Sequence, residues 1–239
     1  SDSKTHMLFV DAGNNAICVG TDTHDTGPLV VQTGNTHATA MTIQSTGHTQ
    51  LMLKDTDASS NDKYWGLQVS GGAFNILTMD DDKASNFVTP LTIDQSGAVT
   101  KPLQPAVQVH KTSTQSNMSN NDTITFDTEI FDQNADFASN TFTAPVTGKY
   151  LITLCVSITG LDYDATYNRV KVITSNRNRS FGIRGSQTWT ANPNYHSFEG
   201  SLLYDMDAND TAYIVWSQAG GVDAADAFDS TFASFHLVC

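Results

Sequence analysis

From Tyr150 to Thr159 every second residue is large and apolar, a spacing that restricts this stretch to a β-strand with one buried face. An amphipathic helix would place its apolar residues three and four positions apart. The alternating apolar residues are Tyr150, Ile152, Leu154, Val156 and Ile158. Cys155 stands inside this apolar run, and we expect it to be a small buried side chain.

Short apolar runs separated by Gly, Asn, Asp or Ser recur along all 239 residues. Thr, Val, Ile, Phe and Tyr are frequent, whereas the Ala, Leu, Glu and Lys runs typical of helices are scarce. The composition therefore predicts an all-β chain and argues against a coiled coil or a helical bundle. The length allows one or two domains with a sizeable core.

The first hundred residues repeat a loose unit of a short strand, a glycine turn and a second short strand. These units are residues 7–20, 41–53, 67–77 and 91–100. Strands this short cannot enclose a core of their own, so we expect their apolar faces to pack against copies of the same chain. Three chains around one axis would achieve this; an ordinary small β-sandwich is the alternative.

Two prolines stand close together in Lys101–Pro105, between a turn and a new apolar alternation. This favours a domain boundary, and we predict a β-rich stalk or shaft over residues 1–104 and one compact domain over residues 105–239. In the second domain we expect a hairpin turn at Asp207–Asp210 followed by a strand over Thr211–Trp216. Many short strands without a helical pattern predict a sandwich or jelly roll.

Lys and Arg number 12 against 25 Asp and Glu, which gives a net charge of −13. Phosphate backbones would repel such a chain, so we expect no nucleic-acid partner. No run approaches the roughly 18 apolar residues of a membrane span, so we expect no membrane insertion. The three cysteines, Cys18, Cys155 and Cys239, are too widely spaced for a disulfide framework, and Cys239 is either free or joined to a neighbouring subunit.

Motifs of common enzymes are absent from the sequence: it has no G-x-S-x-G elbow, no P-loop, no H-E-x-x-H and no dinucleotide-binding G-x-G-x-x-G. We therefore expect no catalytic residues and no enzymatic activity. Calcium is the one cofactor that the residues suggest, because Asp205–Asp210 offers oxygen ligands at alternate positions. An Asp-rich β-turn explains this segment equally, as it does Asp55–Asp57 and Asp80–Asp82, and we expect no metal, with calcium as the alternative.

Three segments, Ile124–Asp127, Asn140–Pro145 and Gly148–Ile152, lead into the alternating strand, and Phe198–Leu203 and Thr231–Leu237 follow in order. Together they resemble the complement-C1q/tumour-necrosis-factor-like jelly rolls, in which a Phe-x-Ala-Pro-x-x-Gly-x-Tyr segment enters a central strand. The resemblance covers about 135 residues. It implies a ten-stranded sandwich that assembles as a homotrimer, with apolar residues of one sheet face lining the three-fold axis.

In the first half, Leu51–Asp57, Tyr64–Gly72 and Pro90–Val99 are similar to segments of bacteriophage tail-fibre and appendage proteins. There such segments build a trimeric β-rich shaft before a distal knob. The resemblance implies a virion protein that attaches to other virion proteins through an upstream segment. The chain begins without Met or a signal peptide, and we expect it to be a piece of a longer protein.

Ligand recognition is expected on loops at the free end of the knob. Arginines pair with the carboxylates of acidic glycans, and aromatic and amide side chains stack on and hydrogen-bond to sugar rings. The candidate residues are Arg177, Arg179, Arg184, Trp189, Asn192, Asn194 and Tyr195, with Tyr163 and Tyr167 in a second polar aromatic loop. The alternative is that Arg177 and Arg179 neutralise nearby Asp residues and that Trp189 fills a crevice.

The leading hypothesis is a homotrimeric, non-enzymatic phage fibre whose knob binds a host-surface receptor, a glycan or a protein, through three weak sites that act together. A head fibre or capsid decoration protein is the first alternative. A polysaccharide depolymerase and a secreted C1q-like protein are the others. The expected location is the virion.

Overall fold

The computed structural model describes the backbone of three strands at residues 8–11, 16–19 and 29–31, and residues 42–185, 188–221 and 225–239 in full. Every regular element in these residues is a β-strand, which confirms the all-β fold class. Within them no helix is long and apolar enough to cross a membrane. The strands are β1 Leu8–Asp11, β2 Ala16–Val19, β3 Leu29–Val31, β4 Thr49–Lys54, β5 Tyr64–Ser70, β6 Ala73–Met79, β7 Val88–Ile93, β8 Val99–Thr100, β9 Ala106–His110, β10 Gln115–Met118, β11 Thr128–Asp132, β12 Phe137–Ala138, β13 Thr141–Thr143, β14 Gly148–Thr159, β15 Tyr167–Thr174, β16 Asn178–Gly185, β17 His196–Met206, β18 Thr211–Ala219, β19 Ala225–Ala227 and β20 Phe232–Leu237.

The chain divides into two compact units. An N-terminal unit comprises Ser1–Val88 with Thr92–Val99, and a C-terminal unit comprises Thr89–Leu91 with Thr100–Cys239. The boundary predicted between residues 104 and 105 stays a prediction.

The N-terminal strands form a three-stranded sheet, β1-β2-β3, and a five-stranded sheet, β4-β5-β6-β7-β8. The β5–β6 hairpin is one of the predicted strand–turn–strand units. Its turn residues Gly71 and Gly72 have φ angles of 57° and 81°, which glycine adopts without steric cost. The unit predicted from Met41 is wrong in its first strand, because residues 42–48 form a turn region before β4.

One face of the five-stranded sheet is apolar and lacks a cover among the described residues of its own unit. The register pairs Leu51 with Leu67 and Leu53 with Trp65, and Val69 with Phe74, so these side chains share a face. On that face Leu51, Leu53, Trp65, Val69 and Phe74 are 46%, 56%, 47%, 53% and 38% exposed. We call these five residues the apolar face of the N-terminal sheet.

The C-terminal unit consists of two antiparallel sheets around one core. The first sheet has the order β10-β19-β14-β20-β9-β11, with β17 paired to the other edge of β14, and the second has the order β12-β13-β18-β15-β16. This two-sheet arrangement is the predicted jelly-roll sandwich. The predicted turn is present at residues 207–210, where the amide of Asp210 donates to the carbonyl of Asp207. The prediction that it closes a hairpin is wrong, because β17 belongs to the first sheet and β18 to the second, so the turn connects the two sheets.

The core lies between the two sheets and is built from alternating residues of each strand. In β14 the predicted apolar series is buried throughout, from Tyr150 to Ile158. Phe142 of the second sheet stacks on Phe235 of the first, with ring centroids 5.0 Å apart and planes within 9°. Both rings are fully buried, so this pair joins the sheets at the centre of the core.

The prediction that Cys155 is buried is wrong. Cys155 is half-exposed, because it has the opposite parity to the buried residues of β14 and therefore points away from the core. Its thiol lies 3.8 Å from Oε1 of Glu199 on the neighbouring strand. Together they line a shallow groove of about 440 Å³ with Ser201 and Phe232. Cys239 is exposed and free.

Candidate functional site

The connection between β14 and β15 meets the connection between β16 and β17 at one end of the sandwich. The amide of Tyr163 donates a hydrogen bond of 3.0 Å to Oδ1 of Asn192. Gly221, which follows β18, packs closely against the β14–β15 connection. A Cβ atom on Gly221 would lie only 2.1 Å from Oδ2 of Asp162. The structure thus brings Tyr163 and Asn192, two candidate residues, into one loop cluster.

The remaining aromatic candidates of these loops have different surroundings. Tyr195 is 71% exposed and contacts the edge of Phe228, with centroids 5.4 Å apart. Trp189 is half-buried, packs against the core and lies edge-on to His196 at 5.2 Å. Trp189 therefore fills a crevice, as the alternative interpretation held. Asn194 is exposed, and Gln187, which precedes this segment, lies outside the described residues.

Arg177 lies at the opposite end of the β15–β16 hairpin. Its guanidinium donates two hydrogen bonds to the carboxylate of Asp205, from Nε at 2.7 Å and from Nη2 at 2.5 Å. These bonds lower the pKa of Asp205 to about 2 and raise the pKa of Arg177. Arg177 therefore neutralises an aspartate, and its forked donor is already occupied.

Arg179 and Arg184 lie on the edge strand β16, and neither has a carboxylate within ion-pair distance among the described residues. Burial raises the pKa of Tyr204 to about 12, and the charge of Arg179 acts against this shift. Burial lowers the pKa of His196, and the charge of Arg184 adds to this shift. The alternative in which Arg179 neutralises an aspartate is thus not what the geometry shows.

The nine candidates do not form a single site. Strand β16 has eight residues and therefore spans about 23 Å at roughly 3.3 Å per residue. It separates the turn of Arg177 from the loop cluster of Tyr163 and Asn192. Tyr167 starts β15 at the loop-cluster end of the hairpin, where it pairs with Gly185, and the guanidinium of Arg169 lies over its ring at 4.5 Å.

Two basic residues that were not among the predicted candidates, Arg169 and Lys171, share the outward face of β15 with Tyr167. The signal was present in the sequence, because Arg169 and Lys171 alternate with the apolar Val170 and Val172, which are buried in the strand. Binding residues are commonest on loops, whereas these two lie on a strand.

In two of the acidic segments that suggested calcium, carboxylate oxygens accept hydrogen bonds from other groups of the chain. Oδ2 of Asp210 accepts from the amide of Asp207 and from Nδ2 of Asn176, and Asp205 is paired with Arg177. Asp82 accepts from the amides of Ala84 and Ser85 in its own turn. In the part of the chain that the structure describes, no three His, Cys, Asp or Glu side chains are grouped to hold a metal ion.

A pH titration tests the Arg177–Asp205 pair. Because the folded pKa of Asp205 is depressed to about 2 from 3.8, its contribution is present above about pH 4 and is lost as the pH falls toward 2. We expect the difference in Tm between the parent and Asp205→Asn to shrink over that interval. Asp207→Asn, in the adjacent turn, is the control. A Tm difference that stays constant from pH 5 to pH 2 would contradict the pair's role.

Comparisons with known proteins found no match among family models and none among curated proteins. Solved structures similar to this chain include the globular domain of zebrafish complement 1qA protein, at 19% identity and a TM-score of 0.44, which covers 57% of this chain and 98% of that one. Murine APRIL at pH 8.0 is 12% identical with a TM-score of 0.40 and covers 56% and 99%. Eiger TNF from S. frugiperda is 9% identical with a TM-score of 0.41 and covers 57% and 94%. At these identities the likeness concerns the fold alone.

Proposed function

We propose that this chain is a homotrimeric, non-enzymatic bacteriophage fibre, with a β-rich shaft and a jelly-roll knob that binds a glycan receptor on the host surface. The observation that carries the proposal is the apolar face of the N-terminal sheet. Five large apolar side chains share one face and are between 38% and 56% exposed. Isolated soluble proteins rarely leave such a contiguous apolar surface uncovered.

A second copy and a third copy of the same chain are the occupants that best fit this face. Burying a large apolar side chain fully stabilises by about 1.5–3 kcal/mol, so five half-exposed residues per chain supply a substantial driving force. Closed rotational symmetry covers the same face on every copy. Three-fold symmetry is favoured by the similarity of this region to phage shaft segments.

The C-terminal unit also has apolar residues on the outward face of its first sheet. Leu151 pairs with both Leu203 and His236 across the strands, and Phe131 lies 6.4 Å from His236 on the same side. Leu203 and Phe131 are 55% and 43% exposed. Contact between copies through this face would cover them and leave the loop cluster of Tyr163 and Asn192 accessible.

Adhesion through the loops requires no bond to be broken. Tyr163 and Tyr195 are exposed aromatic residues that can stack on sugar rings, and Asn192 and Asn194 have amide groups suited to sugar hydroxyls. A single site of this kind binds weakly. Three identical sites on one trimer act together and raise the overall affinity.

Two measurements on phage particles that carry the chain test this function. Purified chain is expected to compete with the particles for adsorption to host cells, and immunogold antibody against the chain is expected to label the tail. Label over the capsid would replace the fibre proposal with a head fibre or decoration protein. Shortening of host polysaccharide by the purified chain would show a depolymerase instead.

A further inference from the structure

Positive charge in this chain is concentrated in the hairpin of β15 and β16. All four arginines lie between residues 169 and 184, and Lys171 lies among them. Residues 165–198 contain no Asp or Glu, whereas the whole chain has 25. This stretch carries a charge of +5 in a chain of −13. At physiological salt a bound group responds mainly to charges within about 8 Å, so the local excess decides what binds there.

Two of these cations lie side by side on the outer surface of the second sheet. Residues 168, 170, 172 and 174 of β15 are buried, so Tyr167, Arg169 and Lys171 face outward. Arg169 and Lys171 are two positions apart on one strand, and their Cα atoms are therefore about 7 Å apart. We call Tyr167, Arg169 and Lys171 the cation row.

Arg169 is held in place before any ligand arrives. Its guanidinium lies 4.5 Å from the centroid of the Tyr167 ring, and it donates at 3.5 Å to the hydroxyls of Tyr167 and Ser217. Its other three N–H groups have no acceptor among the described residues. A planar guanidinium stacked on an aromatic ring loses little freedom when it binds a carboxylate.

The hydrogen-bond partner of Lys171 and its neighbour on β16 are polar and uncharged. Its Nζ donates at 2.7 Å to Oδ1 of Asn121, and Ser180 is its cross-strand neighbour on β16. The single acid of the neighbouring segment 119–124 is Asp122, whose Oδ2 accepts from the amide of Ser119 at 2.7 Å. In the described residues neither Arg169 nor Lys171 forms an ion pair.

We propose that the cation row recognises the anionic groups, carboxylate or sulfate, of an acidic polysaccharide. This inference rests on the proposed glycan-binding function and names the receptor class. The two cations have long side chains on Cα atoms about 7 Å apart, so anionic substituents on neighbouring sugar units of one strand can engage both. Nucleic acid fits less well, because its binding depends on many contacts of Lys and Arg with phosphates, whereas the cation row supplies two cations in a chain of net charge −13.

Binding of the 239-residue chain to immobilised polygalacturonate, dextran sulfate and neutral dextran tests the proposal. We expect binding to an anionic polymer, little binding to dextran, and a loss of affinity of at least about tenfold in the variant R169Q/K171Q. The carboxylated and sulfated polymers distinguish the two anionic groups. R169K, which keeps the charge and loses the planar fork, is expected to bind with intermediate affinity.

K54Q/K83Q is the matched control, because Lys54 and Lys83 lie 5.4 and 5.5 Å from the Tyr64 ring centroid in the N-terminal unit. It removes two cations from another lysine–aromatic cluster and is expected to bind like the parent. If R169Q/K171Q and the parent had equal affinity for the anionic polymers, the proposal that the cation row binds them would be wrong. It would also be wrong if the parent bound neutral dextran as well as the anionic polymers, or bound duplex DNA more tightly than the polysaccharides.

The adsorption assay separates this proposal from the function on which it rests. A chain that blocks phage adsorption but binds neither anionic polymer would overturn the cation row and leave the fibre function standing. A chain that binds an anionic polymer through Arg169 and Lys171 but does not block adsorption would overturn the fibre function and leave the cation row standing.

Discussion

The double variant Leu53→Glu/Leu203→Glu is expected to be monomeric by light scattering, whereas the parent is expected to have three times the mass of one chain, which is 25.8 kDa. Leu53 lies on the apolar face of the N-terminal sheet at 56% exposure, and Leu203 lies on the outward face of the first sheet at 55%. Each substitution places a carboxylate in a contact that excludes water. An unpaired buried charge costs several kcal/mol, and symmetry places it in every copy.

Lys54→Glu is the control for this assembly experiment. It changes the net charge by the same two units, at the residue next to Leu53 but on the opposite face of β4. The control should assemble like the parent. A parent that is monomeric in solution would contradict the homotrimer, and a double variant with the mass of the parent would show that these two faces do not form the contact.

Phe235→Ala is expected to lower the free energy of unfolding of the C-terminal unit by about 3–5 kcal/mol, the range for removing a buried aromatic ring. Phe235 is fully buried and stacks on Phe142 of the other sheet. The alanine therefore leaves a cavity between the sheets and removes a ring contact. Denaturant unfolding followed by circular dichroism measures the loss.

A double-mutant cycle of Phe142→Ala and Phe235→Ala isolates the ring contact itself. We expect a coupling energy of about 0.5–1.5 kcal/mol, the value for a favourable aromatic pair. Ile183→Ala serves as the control, since Ile183 of the same unit is 56% exposed, and its effect should be within about 0.5 kcal/mol. A loss at Phe235 no larger than that at Ile183 would contradict the central position of this ring.

Alternation in the sequence was sufficient to predict most of the knob. It identified the buried series of β14, because burial on one face of a strand dictates every second residue. The same rule, applied without exception, would also have placed Cys155 on the outward side. The prediction for Cys155 was wrong because cysteine is commonly buried, whereas the odd position of this residue in β14 places its side chain on the outward face.

The candidate site was less predictable, because its contacts join residues that are distant in sequence. Arg177 and Asp205 are 28 positions apart, and their pairing depends on how the second sheet lies against the first. Tyr163 and Asn192 are 29 positions apart and meet through a backbone amide, a contact that no residue type signals. Arg169 and Lys171 could have been found from the acid-free stretch and the alternation of β15 together.

The segregated charge also gives the molecule a preferred orientation. Residues 165–198 carry +5, which leaves −18 for the remaining residues. Near a negatively charged surface the two regions experience opposite forces, and the resulting torque turns the hairpin of β15 and β16 toward the surface before contact. The net charge of −13 opposes the approach itself, so the field guides the angle of the encounter and does not draw the molecule in. Added salt should therefore randomise the angle of approach.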